Sequence, residues 1–186
     1  MRIPRLISAI AGLALLSACT DYLPPPHAFH GALVAPYRLD TGDELRIIVF
    51  GQADLTNTYT VDKGGKISMP LIGSVPARGR TTAEIEADVA ARLRAGYLRK
   101  PDVAAEVARY RPIFVMGEVN AAGQYSYVAG TTVQTAIATA GGFSPRADKY
   151  DVRVTRSSNG HLETARLIMT DPVMPGDTIY VDERIF

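Results

Sequence analysis

Helical periodicity appears twice in the chain beyond its amino-terminal apolar stretch, and short alternating segments bracket it each time. The first occurrence follows Thr81 and Glu84, a T-x-x-E capping box, and sets Ile85, Val89 and Leu93 on one face. Gly96 suits its end and Pro101 lies just beyond. The second follows Thr131 and Gln134, read as another capping box. It runs through Val133, Ala136, Ile137 and Ala140 at i, i+3, i+4, i+7 and stops at Gly141-Gly142. Around the first helix, "DELRIIVFG" alternates through Leu45, Ile47 and Val49. "TYTVDKGGKISMPLIG" reads as two strands joined at Gly64-Gly65, and "PDVAAEVARY" alternates through Val103, Ala105 and Val107. Around the second, "IFVMGEV" and "QYSYV" read as strands, "YDVRVTR" and "HLETARLI" as a hairpin turning at "SSNG", and "GDTIYV" as a last strand. The order is strands, one helix, strands, twice over. The expected fold is α+β: two small modules, each one helix on a mixed sheet, over residues 37–111 and 112–186. Modules of this size bury only a modest core and often gain stability by associating.

The amino terminus sets the compartment. The only cysteine, Cys19, excludes an intramolecular disulfide. As a small buried hydrophobe it would need no special flanks. Its flanks are special. Arg2 and Arg5 are followed by an apolar run from Leu6 to Leu16, broken by Ser8 and Gly12, and then by Ser17 and Ala18. This is the layout of a secretory signal peptide over residues 1–18, too short to span a bilayer. Leu16-Ser17-Ala18-Cys19 resembles a bacterial lipobox, which implies cleavage before Cys19 and lipid on it. Several acyl chains on one residue hold a protein firmly to a membrane. Thr20 stands where many inner-membrane lipoproteins carry aspartate, so the resemblance implies the outer membrane. Residues 19–36, with Pro24, Pro25, Pro26 and Pro36, read as a partly stiff tether. The formal charge of +1 falls to −1 when Arg2 and Arg5 leave with the signal peptide (+1 − 2 = −1), so no basic field favours nucleic acid.

The spacing of motifs resembles the Wza-type outer-membrane polysaccharide export lipoproteins. "YRLDTGDELRIIVFG" matches the start of their export domain through Tyr37, Leu39, Gly42 and Asp43. Val61, Gly65, Ile67, Pro70, Gly73, Gly79 and Thr81 continue the match. "GEVNAAGQYSY" and "AGGF" resemble an SLBB domain, a β-grasp-like fold. The match runs through Gly117, Glu118, Val119, Gly123, Tyr125 and Ala140 with Gly141 and Gly142, and closes on Gly176 and Asp177 in "PGDTIYV". The larger relatives carry more SLBB units and a terminal amphipathic helix that builds a barrel through the outer membrane. This sequence has one such unit and no such helix, as short members do. The resemblance implies a cyclic homo-oligomer of roughly eight copies, a heterologous interface that closes on rotation. It further implies a polysaccharide passing through the lumen, an inner-membrane polysaccharide co-polymerase below, and a separate outer-membrane β-barrel to complete the route.

No catalytic set emerges. Asp43 and Glu44 are neighbours in a strand and face opposite sides. Asp43 and Asp177 each follow a glycine at a strand start, where carboxylates bond turn amides. Glu118 beside Gly117 reads the same way. His27 and His30 lack a third metal ligand, His161 sits in a polar turn, and no nucleophile elbow, phosphate loop or zinc spacing is present. The expectation is a non-enzyme without cofactor or metal, exporting capsule or exopolysaccharide passively. The alternative is an anchored glycan- or partner-binding module that forms no pore. Tyr22, Tyr37, Tyr59, Tyr97, Tyr110, Tyr125, Tyr127, Tyr150 and Tyr180 are candidate sugar platforms or, for most, half-buried strand residues. Which residues touch polymer is not legible.

Overall fold

The computed structural model describes residues 35–158 and 161–185; Cys19, the signal peptide, His27, His30 and nearly all of the tether lie outside them. The fold is α+β, with two helices and two separate hydrophobic cores. In the first core, β1 (Glu44–Val49) is the centre of a three-stranded antiparallel sheet between β2 (Asn57–Thr60) and β5 (Val103–Arg109). Leu45, Ile47 and Val49 are buried on the face that meets α1 (Thr82–Arg94), whose Ile85, Val89 and Leu93 are buried in turn. The capping box of α1 is complete: the Thr81 hydroxyl accepts from the Glu84 N–H and Glu84 accepts from the Thr81 N–H. Such a cap contributes about 1 kcal/mol. On its outer side α1 carries Asp88 between Arg80 (2.7 Å) and Arg92 (2.9 Å).

The two strands expected on either side of Gly64-Gly65 are present, but they lie in different sheets. β2 pairs with β1, whereas β3 (Lys66–Met69) turns into its own two-stranded sheet with β4 (Gly73–Pro76). A tight turn at Asp62 joins β2 to β3: its carbonyl accepts from the Gly65 N–H and its carboxylate from the Lys66 N–H, both at 2.9 Å, while its own N–H donates to the Lys66 carbonyl at 2.8 Å.

The second core lies under a five-stranded sheet ordered β7-β6-β10-β8-β9. These strands are β6 (Ile113–Gly117), β7 (Gly123–Tyr125), β8 (Asp151–Ser158), β9 (His161–Ile168) and β10 (Thr178–Val181). The β10–β6 pair is parallel and the other pairs are antiparallel. Ile113, Val115, Val152, Val154, Leu167, Ile179 and Val181 bury one face against α2 (Val133–Thr139). Parallel pairing brings Gly117 onto Val181 so closely that a Cβ there would lie 2.1 Å from the Val181 carbonyl oxygen, at φ +83°. Only glycine fits.

The α2 cap is one residue later than Thr131-Gln134. Thr132 caps the Thr135 N–H, because the Thr131 hydroxyl is turned back to the Val128 carbonyl at 2.6 Å. The first-turn amides of Val133 and Gln134 donate to the carbonyls of Asp171 and Met169, so no glutamine side chain is needed there. At the other end the Gly141 and Gly142 N–H groups donate to Ala138 and Ile137, a complete Schellman ending. No described helix is long and apolar enough to cross a membrane.

Candidate functional site

Where the two cores meet, the sequence has placed two copies of one turn. Gly42 (φ +92°) and Gly176 (φ +84°) each precede a fully buried aspartate. The Asp43 N–H donates to the Asp40 carbonyl while the Asp43 carboxylate accepts from the Asp40 N–H at 2.8 Å. Asp177 does the same with Met174, also at 2.8 Å on the carboxylate. Each carboxylate also needs a cation. Asp177 takes a bidentate pair from Arg156 Nε and Nη2 at 2.8 and 2.7 Å. Asp43 accepts from the Arg111 N–H at 2.9 Å and from the Tyr37 hydroxyl at 2.7 Å, with Arg111 Nη1 at 3.5 Å.

Arg111 ties the turns together. Its guanidinium donates to the Tyr37 hydroxyl at 3.1 Å, and its Nε occupies the space a Cβ on Gly176 would need, 2.3 Å away. The Gly176 N–H donates to the Pro112 carbonyl. Tyr37, Tyr110 and Tyr127 stack edge to face across the same junction, with centroids 5.0 and 5.4 Å apart. Burial pushes the Tyr37 phenol well above the ordinary tyrosine range; Arg111 pulls the other way, and Asp43 adds to the rise. Burial also raises Tyr127, against a hydrogen bond with the Gly130 backbone. The Tyr37 and Tyr127 phenols thus stay protonated beside the Arg111–Asp43 pair, and the junction is paired and packed, which suits a rigid joint.

The face of the five-stranded sheet away from α2 is open. A cleft of about 510 Å³ there is lined by Asp148, Tyr150, Arg153, Arg166, Asp182 and neighbours up to Ile185. Arg153 lies 4.7 Å over the Tyr180 ring and makes a bidentate pair with Asp182 at 2.9 and 2.6 Å. Arg166 bonds Asp151 at 2.5 Å, and Tyr150 is 85% exposed. Planar guanidinium–carboxylate pairs beside tyrosine faces offer donors and acceptors to hydroxyl-rich molecules, and the charges balance one another.

Residues 32–108 match the model of the polysaccharide biosynthesis/export protein family, and residues 112–164 match the SLBB domain. The chain therefore carries a polysaccharide biosynthesis/export domain followed by an SLBB domain. It is similar to the exopolysaccharide production protein ExoF of Rhizobium meliloti (strain 1021), with 33% identity over 159 residues covering 77% of this chain and 36% of ExoF. It is also similar to the EPS I polysaccharide export outer membrane protein EpsA of Ralstonia solanacearum, with 30% identity covering 82% of the chain and 49% of EpsA. The polysialic acid transport protein KpsD of Escherichia coli is 27% identical over 80% of the chain and 28% of KpsD. The chain thus spans less than half the length of each of these relatives.

The junction gathers Tyr37, Gly42, Asp43, Gly176 and Asp177 from the sequence motifs. Leu39 is buried in the core of the export domain, where its backbone bonds Arg80 and Gly79. Gly65 and Gly73 have positive φ around β3 and β4, with Pro70 at the hairpin tip. In the SLBB domain Glu118 accepts from the Ser144 hydroxyl (2.5 Å) and Arg146 (3.3 Å), pinning the loop after Gly141 and Gly142. Gly123 opens β7. Of the described tyrosines, Tyr59 is buried with its hydroxyl on the Leu55 carbonyl and Tyr125 bonds Ala121, while Tyr97, Tyr150 and Tyr180 are exposed. His161 is exposed at the start of β9. Among the described residues no group of His, Cys, Asp and Glu is arranged to hold a metal ion.

Arg111 and Arg156 were not singled out by sequence motifs. Arg156 had a signal: it shares strand parity with the buried Val152 and Val154, and an inward arginine demands a buried acid. Arg111 had none beyond its place at the boundary.

Proposed function

We propose that this chain is a structural component of a polysaccharide export route, acting by assembly and not by catalysis. The observation that carries the reading is the export-domain match followed directly by the SLBB match, over residues 32–108 and 112–164. The relatives' names, which speak of exopolysaccharide production, EPS I polysaccharide export and polysialic acid transport, support a polysaccharide as cargo. "Outer membrane" in the name of EpsA supports that membrane as the site. In this reading residues 1–18 are a signal peptide and lipid on Cys19 holds the protein on the periplasmic side. Residues 19–36 are the tether, and the two domains, 37–111 and 112–186, assemble as a ring of about eight copies. An inner-membrane co-polymerase feeds the ring and a separate outer-membrane β-barrel receives the polymer. The motif residues from Tyr37 to Asp177 build the joint and turns that keep the domains rigid; none is catalytic and no cofactor takes part.

The test is polymer location in a deletion strain restored with the natural chain or with Cys19→Ser. Surface polymer lost on deletion, recovered by the natural chain and not by Cys19→Ser, is the expected result. Unchanged surface polymer rejects the export role. The open cleft favours a second reading, an anchored glycan-binding module without a pore. Stoichiometry separates the two: a monomer in detergent that saturates with short oligosaccharides supports the second.

A further inference from the structure

A β-sheet ends in two edges whose backbone groups lack partners, and soluble proteins protect such edges. The export domain does so. The outer edge of β5 is blocked by Glu86, whose carboxylate accepts from the Ala105 N–H at 2.8 Å. The SLBB sheet is different. β9 is eight residues long and forms its edge. The Ile168 N–H donates to the Asp171 carboxylate at 2.9 Å and the Ile168 carbonyl accepts from the Asp171 N–H at 3.0 Å, so Ile168 does not exchange bonds with Asp151 opposite. In an antiparallel ladder bonded and non-bonded pairs alternate. The backbone groups of Leu162, Thr164 and Arg166 therefore also point outward. The Thr155 and Thr164 hydroxyls, 2.9 Å apart, fit the closer approach of a non-bonded pair. No described backbone or side chain bonds these three residues from outside.

The opposite edge is open in a matching way. The Phe114 N–H is committed to the β10 side, donating to the Asp177 carbonyl, so Gln124 opposite it on β7 turns its backbone groups outward. The surroundings of β7 are also unlike the rest of the chain. Between Glu118 and Arg146 there is no Asp, Glu, Lys, Arg or His, although charged residues make up 21% of the sequence. That run includes β7, all of α2 and the 68% exposed Val128. Depletion of charge marks the core of protein–protein contacts.

We propose that the SLBB sheet continues from copy to copy, β9 of one chain pairing with β7 of a second copy. Thr164, central among the outward residues of β9, meets Gln124, the outward residue of β7. The contact uses two different edges, so it is heterologous and propagates into a ring or filament. It keeps every α2 on the same side of the continued sheet. This inference rests on the multi-copy reading above and names its interface.

The test uses the full lipidated chain in detergent. Thr164→Cys with Gln124→Cys, oxidised, should give a ladder of crosslinked multimers, and each single variant should give none. Thr164→Pro removes an outward N–H, at a position where an edge strand tolerates proline, together with the hydroxyl contact to Thr155, which Thr164→Val also removes. It should reduce the native mass to that of one chain with an unchanged far-UV spectrum, while Thr164→Val keeps the assembly. Dimers from Thr164→Cys alone would mean β9 pairs with β9 and would overturn the assignment. A natural chain that is oligomeric but uncrosslinked in the double variant, or whose assembly survives Thr164→Pro, rejects this interface and leaves the ring reading standing. A natural chain that is monomeric at every concentration rejects both.

Discussion

The Gly42-Asp43 and Gly176-Asp177 turns share sequence, backbone conformation and backbone bonds, and they do different things because of where their arginine comes from. Arg156 belongs to the same sheet as Asp177 and is almost completely buried with it, so the pair braces one domain from inside. Arg111 stands on the boundary, remains partly exposed, and joins Asp43 to Tyr37 on one side and packs against Gly176 on the other. A local motif fixes a turn; the partner of its charge decides whether that turn holds a domain together or holds two domains to each other.

The comparison breaks most severely with Asp177→Ala. It takes the bidentate carboxylate away from the buried Arg156, a loss of about 3–5 kcal/mol, enough to unfold the SLBB domain in urea titrations that follow its tyrosines. Asp43→Ala should cost less, about 2 kcal/mol, because Arg111 can reach water while the Asp40 and Arg111 amides lose their acceptor. Its distinguishing mark is calorimetric: two separated transitions in place of one. The glycines sharpen the contrast further. Gly42→Ala and Gly176→Ala each force a left-handed alanine, about 1–2 kcal/mol. Only Gly176→Ala also displaces the Arg111 side chain, so it should weaken a double-mutant coupling between Tyr37 and Arg111 that Gly42→Ala leaves intact. The smallest effect is alkaline. The Tyr37 pKa is raised in the folded state, so its contribution is complete below about pH 10, the unfolded value, and is lost as pH rises toward the folded one. Tyr37→Phe should flatten that decline in a stability-versus-pH series.

Much of this architecture is legible in the sequence because it depends on local period and turn chemistry. The alternation of Leu45, Ile47 and Val49, the T-x-x-E box of α1 and the Gly141-Gly142 ending all act over a few residues. The family resemblance rests on the same turns. What could not be read is long-range. The pairing of β3 with β4 in place of β2 is a choice of partner that no periodicity encodes. Thr131 and Thr132 are equivalent cap candidates until the Val128 carbonyl claims the first. Arg111 looks like any boundary arginine until both turns are folded around it. The cleft is illegible for the same reason, since Arg153, Arg166, Tyr180 and Asp182 meet only through the strand order.

That strand order has a consequence for how the protein is made. β10, the latest of the described strands in the chain, sits in the middle of its sheet, between β6 and β8. Until it arrives, β6 with β7 and β8 with β9 are two unconnected hairpins, each marginal alone. A polypeptide delivered amino-terminus first therefore holds the SLBB region open until Thr178–Val181 has emerged, and then closes it by inserting one four-residue strand. Interrupted synthesis or carboxy-terminal trimming before Thr178 leaves no partly competent sheet, only exposed hairpins suited to a chaperone or a protease. The central position of β10 acts as a check that the domain is complete.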